Sequence, residues 1–144
     1  MIVDFQHHYV PMDLAKKRGL YSEEVAFAKD GTVPSLTMHS KLYDPEAQLR
    51  DMDEAGVDVS VLSCLLGWSA PLEDCQLIND RLAELQRKYS GRFVGLAQAP
   101  ILEGKLTLDE LERGVRKLGL RGVTVTSQVQ GLPLDSPKLY DFYA

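Results

Sequence analysis

The chain has 144 residues, with 16 basic and 21 acidic side chains and a formal net charge of −5. Hydrophobic residues make up 44% and charged residues 26% of it, a balance that excludes intrinsic disorder and is ordinary for a globular domain. We expect one domain, because a chain of this length can bury one sizeable core. No apolar run approaches the ~20 residues that span a bilayer, so we expect a cytoplasmic protein without membrane contact.

The single basic cluster, Lys16-Lys17-Arg18, is interpreted as a solvated helix face. An acidic chain without aromatic residues between its basic ones does not favour nucleic-acid binding. The two cysteines, Cys64 and Cys75, lack the spacing of a metal or redox motif, and we expect two reduced, structural thiols.

Four short, Val-rich runs predict β-strands: Ile2 to Phe5, Val57 to Leu62, Phe93 to Ala97, and Gly122 to Thr126. A helical pattern, or a loop leading to one, follows each run. Strands that alternate with helices in this way predict an α/β fold with right-handed βαβ units and a parallel sheet.

Helix boundaries are marked by capping residues. Asp44-Pro45 predicts the start of a helix that ends at Gly56, and a second helix is expected from about Leu72 to Tyr89. Thr107 to Glu110 reads as a capping box, followed by an apolar stripe of Leu108, Leu111, Val115 and Leu118 and a stop at Gly119. Ser136-Pro137 predicts one more helix start.

The segment 9–43 interrupts the alternation of strands and helices. It is long and shows no clean period, so we interpret it as an excursion over one face of the sheet, where α/β proteins place substrate loops.

The most chemically informative segment is Asp4-Phe5-Gln6-His7-His8. Strand alternation predicts Asp4, Gln6 and His8 on one face and Phe5 and His7 on the other, so that residues two apart can hold one metal ion. A bulge at the strand end would instead let His7 and His8 both reach inward. The alternative is a pair of structural histidines bonded to backbone carbonyls.

This opening resembles the Asp-x-His-x-His start of the amidohydrolase superfamily. Later segments are similar to the amidohydrolase-related branch typified by aminocarboxymuconate semialdehyde decarboxylase: Asp44-Pro45, Arg50 to Ser63, Asn79-Asp80, Tyr89 to Leu96, Pro100, Leu118-Gly119 with Gly122-Val123, and Leu134-Asp135 leading to Phe142-Tyr143. Their order and spacing carry the resemblance over nearly the whole chain.

The resemblance implies a TIM-type (β/α)8 barrel with a divalent metal, usually zinc, at the carboxyl ends of the strands. The family's enzymes remove carboxyl groups from, hydrolyse or hydrate small unsaturated and aromatic carboxylic acids, commonly through a metal-bound water. By this resemblance His8 is a metal ligand. Gln6 occupies the other ligand position, where an amide oxygen would weaken a zinc site.

Four βα units amount to half of such a barrel, so residues 1–144 are expected to form a single partial-barrel domain that is inactive alone. If the chain ends at Ala144, its open strand edge predicts a homo-oligomer. The alternative to an enzyme is a truncated or degenerate non-catalytic scaffold that oligomerises or binds a small ligand, and Gln6 favours it.

Two further residues are candidate substrate contacts. Trp68 follows the second strand, at the end of a barrel that carries the active site, although an aromatic residue there also serves packing. Between Asp30 and Asp44 there is no arginine to match the carboxylate-binding one of the decarboxylase, and His39 and Lys41 are the cationic candidates. Gln98 follows the third strand and is equally well explained as an ordinary polar loop residue.

Overall fold

The computed structural model describes residues 1–28, 36–67 and 70–143. Its helices and strands are β1 (Val3–His8), α1 (Met12–Lys17), β2 (Ala26–Ala28), β3 (Leu36–Met38), α2 (Pro45–Ala55), β4 (Val59–Ser63), α3 (Leu72–Lys88), β5 (Phe93–Ala97), α4 (Lys105–Glu112), β6 (Gly122–Val123), β7 (Gln128–Val129), β8 (Leu132–Pro133) and α5 (Tyr140–Tyr143). Short 3-10 turns cover Ser40–Leu42, Leu65–Gly67 and Pro137–Leu139, and a π-helical segment covers Arg113–Lys117. Within these ranges no helix is long and apolar enough to cross a membrane.

The central sheet has the strand order β1-β4-β5-β6, and every neighbouring pair is parallel. The helices α2, α3 and α4 connect these strands in sequence, which is the arrangement of successive βα units in a barrel. The predicted α/β class and the four predicted strands are therefore confirmed. Two antiparallel pairs, β2 with β3 and β7 with β8, lie outside this sheet.

One face of the sheet packs against the helices and forms the core. Leu62 and Phe93 from the strands belong to the same buried cluster as Ile78 and Leu82 from α3. Gly95 permits the close approach, since a Cβ atom there would lie 2.7 Å from Leu120 Cδ2 and 3.0 Å from Leu82 Cβ. The opposite face carries Val59, Val61, Val94 and Leu96, of which only Val61 is buried.

The predicted boundaries of α2 are confirmed. Asp44 Oδ1 accepts hydrogen bonds from the backbone N–H groups of Glu46, at 3.0 Å, and Ala47, at 3.1 Å. Gly56 ends the helix in the left-handed conformation with φ of 70°. Both signals are local, because a short polar side chain and a glycine satisfy the helix ends without distant partners.

The predicted capping box at Thr107 is wrong. The helix α4 begins two residues earlier, and Thr107 lies inside it, where its hydroxyl donates to the Pro100 carbonyl. The predicted apolar stripe is wrong in part, since Leu108 and Val115 are exposed. The π-helical segment changes the helical phase after Glu112, so a period of 3.6 residues does not describe the whole segment.

The basic cluster is a solvated helix face only in part, because Lys16 and Lys17 are exposed on α1 whereas Arg18, at the end of the helix, is half-buried. Lys17 Nζ lies 2.9 Å and Arg18 Nη2 2.6 Å from the Asp74 carboxylate, and Arg18 also donates to the Leu66 carbonyl. Burial raises the pKa of Asp74, but the hydrogen bonds from Lys17 and Arg18 outweigh it, and the pKa of Asp74 is lowered overall. These contacts join α1 to the start of α3 beside the turn that follows β4.

Candidate metal and substrate site

A bulge interrupts β1 just before its two histidines. Asp4 pairs with Ser60 and His7 pairs with Leu62, so three steps along β1 oppose two steps along β4. The predicted first strand ends at Phe5, whereas β1 continues through the bulge to His8. The extra residue changes which side chains share a face.

The bulge brings Asp4 and His7 together. Both pair with residues on the helix-facing side of β4, and His7 Nδ1 lies 3.0 Å from Asp4 Oδ2. The hydrogen bond from the Gln6 N–H, followed by the one from His7, lowers the pKa of Asp4. The predicted grouping of Asp4 with His8 is therefore wrong, because strict alternation does not continue through a bulge.

His8 lies on the opposite face of the sheet from His7. It pairs with Ser63, one residue beyond the His7 partner, so the two histidines do not reach the same side. Its Nδ1 atom is 2.8 Å from Ser63 Oγ. Burial, followed by repulsion from His7, lowers the pKa of His8, which favours the neutral imidazole that binds metals.

The segment that contains His39 is tied to the end of β1. Gln48 Nε2 donates to the carbonyl oxygens of both His8, at 3.0 Å, and Lys41, at 2.9 Å. His39 is half-buried in extended backbone just before the turn at Ser40–Leu42. Lys41 forms an exposed ion pair with Asp51, and Trp68 lies outside the described residues.

The described residues place few side chains that could bind a metal ion near His8. Gln6 is exposed, and its backbone N–H is bonded to Asp4. Within residues 1–28, 36–67 and 70–143, no three His, Cys, Asp or Glu side chains are grouped so as to hold a metal ion. His8 fits the role of one ligand, with its Nδ1 held by Ser63, and Gln6 adds at most an amide oxygen.

A cavity of about 200 Å³ lies at the same end of the sheet, beyond β5 and β6. We call it the Gln98 cavity; its lining includes Gly67, Gln98, Glu103, Thr124, Val129 and Gln130. Gln98 is only 1% exposed, yet its Nε2 atom has no hydrogen-bond partner among the described residues. The sequence places Gln98 after a strand but carries no signal that its side chain is buried.

The backbone of Gln98 is held by Asn79 on α3. Asn79 Oδ1 accepts from the Gln98 N–H at 2.7 Å, and Asn79 Nδ2 donates to the Gln98 carbonyl at 2.8 Å. The same Nδ2 donates to the buried Glu110 carboxylate, which also accepts two hydrogen bonds from Arg113. Sequence reasoning missed this network, because its members lie far apart along the chain.

The two cysteines take no part in the site. Cys64 and Cys75 are buried free thiols, as predicted. Burial raises the pKa of each thiol to about 12, so both are neutral at physiological pH and poor nucleophiles.

Two curated relatives are similar to this chain. A 2-amino-3-carboxymuconate-6-semialdehyde decarboxylase of Dictyostelium discoideum is 32% identical over 111 residues, which cover 72% of this chain and 31% of that protein. A gamma-resorcylate decarboxylase of a Polaromonas species is 30% identical over 139 residues, covering 89% and 43%. The chain thus spans less than half the length of the curated relatives it matches.

The fold also matches a solved structure. A dihydroxybenzoic acid decarboxylase of Polaromonas, crystallised with manganese and the inhibitor 2-nitroresorcinol, superposes with a TM-score of 0.70 at 24% identity. The match covers 99% of this chain and 45% of that one. The chain therefore shares the fold of that decarboxylase over less than half of its length, which confirms the predicted partial barrel.

The family profile described as amidohydrolase matches residues 3–144, which is nearly the whole chain. The matched residues include the strand β1 with its bulge, both partners of the Ser63–His8 contact and the residues that line the Gln98 cavity. The chain belongs to the amidohydrolase family, in the branch that contains decarboxylases of small carboxylic acids.

Proposed function

We propose that residues 1–144 form the first four βα units of a metal-dependent enzyme that removes the carboxyl group of a small aromatic or unsaturated carboxylic acid. The position of His8 is the observation that carries this proposal. It ends β1 on the face away from the helices, with one ring nitrogen held by Ser63. The names of the two curated relatives favour decarboxylation over hydrolysis.

His8 would bind the metal through Nε2, with its Nδ1–H donating to Ser63 Oγ. This arrangement, in which the second nitrogen is fixed by a neighbour, is the usual one for a metal-binding histidine. Gln6 would supply an amide oxygen, and oxygen donors suit manganese better than zinc. When bound, a divalent metal supplies Lewis-acid stabilisation of negative charge on the substrate.

The substrate's carboxylate requires a positively charged or hydrogen-bonding partner. We assign this role to His39, because Gln48 ties its segment to the end of β1. Trp68 remains the proposed aromatic contact. Both assignments are tested by measuring KM for the acid in His39→Ala and Trp68→Ala variants, each of which is expected to raise KM more than it lowers kcat.

Metal binding gives the first test of the proposal. The protein made from its complete reading frame is titrated with Mn²⁺ and Zn²⁺ by calorimetry, alongside the His8→Ala and His7→Ala variants. We expect His8→Ala to weaken metal binding at least about tenfold. His7→Ala serves as the matched control, because that histidine faces the opposite side of the sheet.

Release of CO2 from gamma-resorcylate and from 2-amino-3-carboxymuconate semialdehyde gives the second test. Turnover of either acid that His8→Ala abolishes supports the proposal. Equal metal affinity in His8→Ala and wild type, or the absence of turnover of both acids in a metal-loaded protein, contradicts it.

The alternative function is a non-catalytic scaffold that oligomerises or binds a small ligand. The amide side chain of Gln6 at one ligand position and the partly exposed apolar sheet face favour it. Light scattering of the purified protein, combined with the metal titration, distinguishes the scaffold from the enzyme. A metal-free homo-oligomer supports the scaffold, whereas a metal-loaded protein with His8-dependent binding supports the enzyme.

A further inference from the structure

We propose that the Gln98 cavity is a specificity subsite, which accepts an uncharged oxygen substituent of the substrate, such as a hydroxyl or carbonyl group. The inference rests on the proposed function and extends it by naming a chemical group that the substrate carries. Gln98 would donate a hydrogen bond to that oxygen through Nε2.

Two buried polar atoms at the cavity lack partners. Gln98 Nε2 and Thr124 Oγ1 are both buried, their residues line the cavity, and neither atom has a hydrogen-bond partner among the described residues. Unpaired buried donors are rare in native proteins because each costs the loss of its hydration. A ligand oxygen in the cavity would supply the acceptor that Gln98 Nε2 lacks.

The position of Gln98 is fixed by a dedicated set of contacts. Asn79 holds the backbone of residue 98 on both sides, and Glu110 with Arg113 in turn fixes Asn79. These bonds constrain the main chain and do not involve the side-chain amide, whose Nε2 has no hydrogen-bond partner among the described residues. The network therefore fixes the main chain from which the Gln98 side chain extends, which reduces the ordering cost of a binding group at this position.

Gly67 shapes the same site. A Cβ atom at residue 67 would lie 2.5 Å from both Cδ and Oε1 of Gln98, closer than non-bonded atoms approach. The absence of a side chain at this position is what allows the Gln98 amide to lie in the cavity. Any larger residue would displace it.

Charge decides which kind of oxygen fits. The described lining residues include no Lys, Arg or His, and their one ionisable side chain is the carboxylate of Glu103. A buried carboxylate or phosphate would lack a counter-charge here and would be repelled by Glu103. An uncharged hydroxyl or carbonyl oxygen carries no such cost.

Ligand binding to the protein made from its complete reading frame tests the subsite. Dissociation constants for gamma-resorcylate, which is 2,6-dihydroxybenzoate, and for unsubstituted benzoate are measured by calorimetry in wild type and Gln98→Met. Methionine has a similar volume but no donor. We expect gamma-resorcylate to bind more tightly than benzoate to wild type, and Gln98→Met to reduce this preference by about three- to tenfold.

The matched control is Gln128→Met, the same chemical change at an exposed position that is not among the cavity-lining residues. It is expected to leave the preference unchanged. Gly67→Ala provides a second variant that displaces the Gln98 amide without removing it, and it should reduce the preference as Gln98→Met does. Near-ultraviolet circular dichroism checks that each variant is folded.

The outcomes separate the two proposals. A wild type that binds neither acid contradicts the proposed function and this inference together. A wild type that binds both acids, with a preference that is absent or is unchanged in Gln98→Met, overturns the subsite alone and indicates that the cavity holds only water.

Discussion

The Nδ1 atom of His8 lies 2.8 Å from the Oγ atom of Ser63, so the last residue of β1 is held by the last residue of β4. The two strands pair in parallel at these same residues. The contact thus fixes the imidazole at the carboxyl end of the sheet and selects which ring nitrogen remains for a ligand.

Removing the Ser63 hydroxyl is expected to weaken metal binding without unfolding the protein. Ser63→Ala leaves the His8 ring without its partner, and loss of such an orienting bond lowers metal affinity about 10- to 100-fold. Calorimetric titration with Mn²⁺ measures the effect, with the exposed Ser127→Ala as control. Unchanged affinity in Ser63→Ala would show that this contact does not orient a ligand.

Glu110→Ala is expected to destabilise the protein by about 3 kcal/mol. The change removes a carboxylate that is buried against Arg113 and Asn79, which leaves the guanidinium without its buried partner. Urea unfolding measures the free energy of unfolding. The control is Glu112→Ala on the same helix, whose exposed pair with Arg116 contributes less than about 1 kcal/mol. Equal effects of the two substitutions would contradict the structural role of Glu110.

Asp74 is expected to make the free energy of unfolding depend on pH in the acidic range. Its pKa is lowered in the folded protein, so its contribution is fully present above the ordinary pKa of 3.8 and is lost as the pH falls through the lower, folded value. Asp74→Asn should lower the free energy of unfolding at pH 7 by about 2 kcal/mol and flatten its decline below about pH 4.

Urea unfolding between pH 7 and pH 2 gives the comparison with wild type. Glu73→Gln, whose carboxylate is exposed beside Lys17, is the control and should change little. A pH profile for Asp74→Asn that parallels the wild-type profile would contradict the assignment.

Gly95→Ala is expected to lower the free energy of unfolding by about 2 kcal/mol through overpacking. The new methyl group would meet Leu120 and Leu82 on the helix-facing side of β5. Gly122→Ala, on the other face, meets only the end of the Leu96 side chain at 3.0 Å and should cost less. Thermal unfolding of both variants checks the order, and the reverse order would contradict the assigned faces.

The parts of the fold that depend on local signals could be predicted from the sequence. Asp44 and Gly56 bound α2 through contacts within a few residues, and the Val-rich runs identify all four strands of the sheet. The start of α4 could not be predicted, because Thr107 bonds to Pro100 and Glu110 to Arg113 instead of forming a reciprocal cap.

The site could be predicted only in part, for a similar reason. His8 was identified as a candidate by family resemblance, and its role as a ligand stays a prediction. The bulge that separates it from Asp4 depends on pairing with β4, which begins about fifty residues later in the chain. Likewise, the burial of Gln98 depends on Asn79 and Gly67, which lie on other elements.

The two hydrogen bonds between Asn79 and residue 98 involve only main-chain atoms of residue 98. The fold at this point is therefore indifferent to which side chain residue 98 carries, provided that the side chain fits beside Gly67. Selection can then act on residue 98 for the chemistry of the cavity while Asn79, Glu110 and Arg113 preserve the architecture. We expect substitutions at residue 98, in nature or by engineering, to change the substrate preference with little loss of folding stability.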